Sequence, residues 1–485
     1  MAFQVASLIL EVQSGGNDNN GGGFDPGVTS PGTDYSQQAS AQIAYTDLVI
    51  GGTGNTNKLT SAANPFGASS PGNVINITGG TGFTSGRYRI LSVSGNTATM
   101  DRSVGTANST GGTGNLGGAL ATVSTATGLM TTGGMIAYIK AAIYTIAGGL
   151  NAIVQANGTS VYRVIGYTTV RGDGGQATIQ QTSGAGVIMY AWGESADASS
   201  SVSWENITFD GNNKSGSTGF YLISNLYAPK MTFRNCIFKR FAGNYCITTT
   251  FGGIIVQGCE FASNALTGVN AACIAVAVAV GSSINASVSV TETYFTGNSI
   301  NSTNTAGCVW AEGAGINVAH CIFYNNTGTN FSGLVIRVPQ AVNVANNAFH
   351  SNAKHGISIV NSVTTAAPAI TNNIFTNNGG YGINMGTATN ATIPEINHNA
   401  YYNNTSGAKN GFTAGDGEVT MTGLPYVNAP TDFALNQTAG QGLACRGAGK
   451  PGSLGVSSVV GTGVLDIGPL QHGTAGTTVA STFVN

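Results

Sequence analysis

One aromatic residue returns along this chain at intervals that settle at 26 residues, and that periodicity limits the fold more than any other feature. Eight segments align on Phe209, Phe238, Phe261, Phe295, Phe323, Phe349, Phe375 and Tyr401, with successive gaps of 29, 23, 34, 28, 26, 26 and 26 residues. Five residues before the aromatic stand Trp204, Phe233, Val256, Val290, Val318, Val344, Ile370 and Ile396. Seven before it the first six segments carry Val202, Met231, Ile254, Val288, Ile316 and Val342, and the last two Pro368 and Pro394. These positions alternate with polar residues, the period of a strand with one buried face. Two residues before the aromatic come Ile207, Cys236, Cys259, Thr293, Cys321, Asn347, Asn373 and Asn399. Three after it, seven of the eight segments have Asn: Asn212, Asn264, Asn298, Asn326, Asn352, Asn378 and Asn404.

A coil of short strands satisfies all of these columns at once. Like residues then stack about 4.8 Å apart, and a stacked Asn bonds through its amide to the Asn above and below. Asn also tolerates left-handed backbone angles, so the Asn after the aromatic is expected to form the turn itself. The expected fold is all-β: a right-handed parallel β-helix over residues 121–425, with a small β-rich N-terminal domain (1–120) and a C-terminal capping segment (426–485). A second strand is expected after each turn, as at Cys273–Val276, Gly356–Ile359 and Gly382–Met385. Cys236, Cys259 and Cys321 read as small hydrophobes filling the core. They lie on different coils without a CxxC pair, so no metal is expected.

The ends differ in character. Val74 to Gly105 reads as hairpins, with alternation over Arg87–Leu91 and a turn at Gly95–Asn96. An open solenoid end exposes core and unpaired edges, so a closing segment is required.

Charged residues make up only 7%, against roughly 25% in an average soluble domain. Hydrophobic residues reach 41% and are evenly spread, so a core can form. A net charge of −2, with scattered Lys and Arg, gives no stripe for a nucleic-acid backbone. No run of 18 apolar residues occurs, so no membrane span is expected. The opening MAFQVASLILEVQSGG has neither a basic n-region nor a cleavage site, so no export signal is expected. The odd count of seven cysteines fits synthesis in a reducing cytoplasm.

Several stretches resemble known β-helix proteins. GGMIAYIKAAIYTIAGG from Gly133 and VIGYTTVRGDGGQATI from Val164 resemble the opening coils of the pectate-lyase-like class, with Gly134-Met135 where that class has Gly-Asp and Ala142 where it has Gly. EVQSGGNDNNGGGF, GTDYSQQ and GGTGNLGGAL resemble the leaders of β-helix proteins encoded by tailed bacteriophages and environmental bacteria. VLDIGPLQH, Val464 to His472, resembles the closing segment of bacterial surface β-helices, with Pro469 in place of Ala. The resemblance implies a fold, and a phage-like setting without a fixed chemistry.

Glycan cleavage requires two carboxylates, or a base beside a cation-held uronate. Glu194, Asp197, Glu205 and Asp210 fall in neighbouring coils and form the candidate acidic cluster, with Lys239 and Arg240 one coil away. The competing reading makes them solvated turn residues, and is preferred. Among the histidines, His320 and His398 share one column three coils apart, so they do not ligate one ion; all five are read as structural surface residues. Arg171-Gly172-Asp173 reads as a turn. Trp192 and Trp310 are candidates for stacking on sugars, whereas Trp204 belongs to the buried column.

These readings lead to an expected bacteriophage virion structural protein: a surface spike, fibre or capsid decoration, made in the host cytoplasm and released by lysis. Expected partners are further copies of the chain, as a homotrimer, other virion proteins through the N-terminal domain, and a host surface glycan. No cofactor is expected. The alternatives are a tailspike-type or secreted polysaccharide lyase or glycosidase, and a bacterial cell-surface adhesin.

Overall fold

The computed structural model describes residues 7–150, 161–184, 186–193, 201–224, 230–250, 252–277, 286–337, 341–360, 368–386, 395–413, 415–450 and 465–471. The chain divides into two compact units, residues 1–180 with 194–208 and residues 181–193 with 209–485.

In the first unit a closed barrel takes the strands Ile43–Ile50, Lys58–Thr60, Thr97–Met100, Gly86–Ser94, Val74–Gly79 and Gly112–Leu116 in that order. Its alternating apolar residues meet in one core of Tyr45, Leu48, Leu59, Ile75, Tyr88 and Ile90 among others. The expected hairpin is present: Ser94 pairs with Thr97 across Gly95, whose φ of +58° favours glycine. The strand Ile9–Val12 precedes the barrel in sequence yet pairs in parallel with Ile136–Lys140, which pairs in turn with Val161–Tyr167. The barrel is therefore an insertion between two neighbouring strands of one sheet. A buried ionic knot fixes this arrangement. Arg171 donates to Glu11 (2.8 Å), Asp34 (2.8 Å) and Ser36 (3.1 Å), and Tyr167 donates to Glu11. Glu11 is wholly buried, which raises its carboxyl pKa against the pull of Arg171.

The second unit is a right-handed parallel β-helix. Each regular coil contributes one strand to each of three sheets, as Gly315–Ala319, Ile322–Tyr324 and Phe331–Arg337 do. Coil stacks on coil in register: Val318 pairs with Val344, and Phe323 with Phe349. The Phe rings pile face to face, 4.5 Å apart for Phe323–Phe349 and 5.0 Å for Phe349–Phe375. One left-handed residue makes the corner between the first and second sheets, with φ of 51–59° at Asn235, Glu292, His320, Asn346, Asn372 and His398. Arg240, Ser263, Asn325, Ser351, Asn377 and Asn403 make the next corner. Apart from Arg240, which precedes Phe241, these are the residues immediately before the ladder Asn, so the turn lies one position earlier than the sequence suggested. Only Asn212 is both ladder Asn and left-handed.

The ladder Asn residues serve hydrogen bonding instead. Asn352 Nδ2 donates to Asn378 Oδ1 (3.1 Å) and to the Phe323 carbonyl (2.9 Å), while its Oδ1 accepts from the Asn326 side chain (3.0 Å) and backbone (3.3 Å). A second ladder runs Asn347, Asn373, Asn399, each amide donating to the next, and the last donates to Glu418. Opposite the Phe column the third sheet places a row of small residues, Gly333, Gly356 and Gly382, and on earlier coils Cys246, Cys273 and Cys308, while one coil earlier still Phe220 packs edge-on against Phe209. A Cβ at Gly356 would lie 2.5 Å from the Phe375 ring. Volume lost from one column is thus taken up by the other.

The described parts of the C-terminal segment, residues 426–450 and 465–471, run along the flank of these coils. Its hairpin, Tyr426–Asn428 with Asp432–Leu435, pairs only with itself, and it packs Met421, Tyr426, Phe433 and Leu435 on the column Ile322, Ala348, Ile374 and Ala400. Of the closing motif, Ile467 joins this cluster and the Gly468 N–H donates to the Asn372 carbonyl.

Candidate functional site

The acidic cluster is the first place to look for chemistry. Glu205 ends the strand Ser201–Glu205, where Arg163 grips both its oxygens at 3.0 and 2.8 Å and the Ser203 hydroxyl donates to it. Asp210 is 1% exposed. Arg240 holds both its oxygens, one at 2.9 Å, and the Asn212 N–H caps it at 2.8 Å. In each pair the carboxylate's hydrogen bond raises the pKa of the arginine. A carboxylate clamped by a guanidinium fork has its lone pairs committed and is a poor proton donor or acceptor. Glu194 and Asp197 lie outside the described residues. Neither Glu205 nor Asp210 is a solvated turn residue, because each is needed to neutralise an arginine.

Other acids are similarly engaged. Asp173 accepts from the backbone N–H groups of Thr168, Thr169, Val170 and Gly175, which hold its carboxyl well below the usual range. With Arg171 locked onto Glu11, the Arg-Gly-Asp tripeptide is a structural turn. Glu312 pairs with Arg337 at 3.3 Å, and Glu395 with Lys450. Glu260 is half-buried beside Lys239; burial raises its pKa and the lysine lowers it.

The histidine and tryptophan expectations need correction. His320 and His350 are 9% and 6% exposed, so they are not surface residues: the C-terminal segment covers both, through Pro469 and through Tyr426 and Phe433. His320 and His398 do share the first corner, while His472 lies outside the described residues. Trp310 is 2% exposed, packed with Ala272, Ala275 and Val335 on the third sheet, and offers no open face to a sugar. The Trp192 side chain lies outside the described residues. Trp204 is buried as expected. Cys236, Cys259 and Cys321 are buried too, and burial pushes the Cys321 thiol up to about 12.

A different feature stands open. On the outer face of the first sheet a shallow trough of about 300 Å³ is lined by Ser287, Ser289, Gly315, Asn317, Ala341 and Asn343, with Val288, Ile316 and Val342 below. Register makes this happen, because Ser289 pairs with Asn317 and Asn317 with Asn343. Asn343 donates to Asn317 (2.8 Å) and Asn317 to Ser289 (3.1 Å), forming a neutral amide–hydroxyl row. Beside it Ser287, Gly315 and Ala341 are small, and that leaves the groove. Apolar floor and polar wall together suit a neutral ligand with both C–H faces and hydroxyl edges. The sequence signal was the outward residue between the −7 and −5 positions, which alternation alone marked as merely polar.

A family model described as "Right handed beta helix region" matches residues 277–405. Among curated proteins none matches the sequence significantly. Solved structures similar to the chain include the Azotobacter vinelandii mannuronan C-5 epimerase AlgE6 A-module, 11% identical, covering 59% of this chain and 91% of that one at a TM-score of 0.28. The catalytic domain of a GH87 alpha-1,3-glucanase in complex with nigerose is 12% identical, covering 77% and 89% at a TM-score of 0.24. The Agl-KA catalytic domain is 10% identical, covering 86% and 96% at a TM-score of 0.17.

Proposed function

We propose that this right-handed parallel β-helix protein is a non-catalytic surface protein of a bacteriophage particle, a spike, fibre or capsid decoration that touches neutral host glycan through the outer face of its first sheet. The carrying observation is a contrast within the chain. Glu205 and Asp210, the described members of the acidic cluster, are tied up in arginine forks, while the Ser289–Asn317–Asn343 row and its groove lie open. Amides and hydroxyls bind sugars without supplying the acid and base that cleavage needs. Saturated ladders and stacked rings make the coils stiff, as a projecting element requires. The phage-like leader motifs favour a virion setting, with the barrel-bearing N-terminal region as the attachment module and three copies of the chain in the assembly.

Electron microscopy of phage particles labelled on this chain tests the setting, and label on the particle surface is the expected result. Incubation with capsular and cell-wall polysaccharides tests the chemistry: binding without chain shortening is expected. Shortening that Asp210→Asn abolishes would establish the depolymerase alternative, and label confined to bacterial cell surfaces would establish the adhesin.

A further inference from the structure

The C-terminal hairpin forms no ladder with the coils it covers, so its attachment depends on what lies beneath it. Beneath it, on the outer face of the second sheet, sits His350. Its ring stacks on Tyr324 at 5.6 Å and meets Tyr426 and Phe433 of the hairpin edge-on at 5.5 and 5.9 Å. Nδ1 lies 2.7 Å from the Thr376 hydroxyl, which itself bonds the Tyr426 hydroxyl at 3.4 Å, and Nε2 lies 3.2 Å from the Ser351 hydroxyl. In this cluster a polar link between hairpin and sheet, Tyr426 to Thr376, therefore passes through the partner of an imidazole.

We propose that the C-terminal segment is an acid-released strap: with His350 neutral it covers the apolar column Ile322, Ala348, Ile374 and Ala400, and protonation of His350 lifts it and exposes that column. The physical reason is desolvation. An imidazolium here would sit 6% exposed among Tyr324, Tyr426 and Phe433, where hydrogen bonds to Thr376 and Ser351 do not make up for the loss of water. The titratable groups facing it are Tyr324 on the preceding coil and Tyr426 on the strap, with Cys445 behind Tyr426. No carboxylate among the described residues offsets the charge. Burial accordingly lowers the His350 pKa from 6.5 to about 4. Opening the strap returns the ring to water and its ordinary value. Closure is therefore fully favoured above 6.5 and weakens as pH falls toward 4. The opening equilibrium should rise about a hundredfold by pH 4. Beyond the hairpin the segment keeps other attachments to the coils, His320 Nδ1 with the Pro469 carbonyl at 3.1 Å, the Gly468 N–H on the Asn372 carbonyl and Lys450 on Glu395, so the release is confined to the hairpin.

Amide hydrogen exchange on the full chain from pH 7.5 to 4, corrected for intrinsic rates, tests this. Peptides from residues 421–445 should lose protection about a hundredfold, while those from 254–262 keep theirs. His350→Gln, which retains a hydrogen-bonding group but does not titrate, should abolish the change. His355→Gln, a depressed histidine away from the strap, should leave it intact. The proposal is overturned if the strap stays protected at pH 4 in the natural sequence, if it and residues 254–262 open together, or if His350→Gln opens as the natural protein does. The first two comparisons need no variant, so a His350→Gln chain that fails to fold leaves the test decisive.

Discussion

At the scale of single residues, this protein replaces charge with amide. Asn352 saturates four neighbouring groups, and Ala in its place strands the Phe323 carbonyl and the Asn326 backbone and side-chain N–H groups in a dry core. At about 1–3 kcal/mol for each buried polar group left unpaired, Asn352→Ala should cost at least about 3 kcal/mol. Denaturant unfolding followed by exchange in the flanking coils measures it. Asp210→Asn removes one fork from Arg240, whose side chain is 38% exposed and can rehydrate. A loss of about 1–2 kcal/mol is expected, with no change in any glycan's chain length. The depressed histidines set a pH dependence. His350 and His355 both fall from 6.5 to about 4 through burial, His355 also through Lys354. The folded state then binds fewer protons than the unfolded one, so stability is complete above about 6.5 and declines as pH drops toward 4. Thermal melts across that range should show a falling midpoint, flattened in the double variant His350→Gln, His355→Gln.

At the scale of strands and turns, two glycines show how position decides outcome. Gly356 faces the Phe column, where a Cβ would meet the Phe375 ring at 2.5 Å and the Gly382 carbonyl at 2.7 Å. Gly315 faces the open trough, where a Cβ would find nothing closer than 3.9 Å. Gly356→Ala should therefore destabilise by about 1–3 kcal/mol through overpacking, while Gly315→Val should be neutral or mildly stabilising in a strand. Melting the two variants side by side checks the contrast.

The same scale explains what the sequence revealed. Phe323, Phe349, Phe375 and Tyr401 were legible because these coils repeat every 26 residues and the step from the first sheet to the second keeps one length. The strands at Cys273, Gly356 and Gly382 were legible too, but the single column that these residues form with Cys246, Cys308 and Gly333 was not. It trails the aromatic by 8, 12, 13, 10, 7 and 7 residues, because the connection to the third sheet varies and on two coils carries the extra strands Ala265–Gly268 and Ser299–Ser302. The left-handed corner hid behind its neighbour, since Arg240, Ser263 and Ser351 carry no turn signature of their own. The alternation Leu8, Leu10, Val12 was visible, but its partner strand begins at Ile136, beyond the reach of local pattern. Of the candidate site, the acids were legible and Arg240 was placed one coil from Asp210, whereas the Arg163–Glu205 pair was not, because its members stand 42 positions apart.

At the scale of the whole molecule, support and contact fall to different residues. Ladders, ring stack and glycine column hold the coils rigid, and the outward residues of the first sheet are left to meet a partner. The most direct test is equilibrium binding of the full-length protein to a panel of neutral polysaccharides, compared with Gly315→Val and accompanied by product sizing. The account predicts at least one ligand that binds unshortened to the natural protein and at least tenfold more weakly to Gly315→Val at equal melting temperature. Equal binding by both proteins, or oligosaccharide release by the natural one, would contradict it.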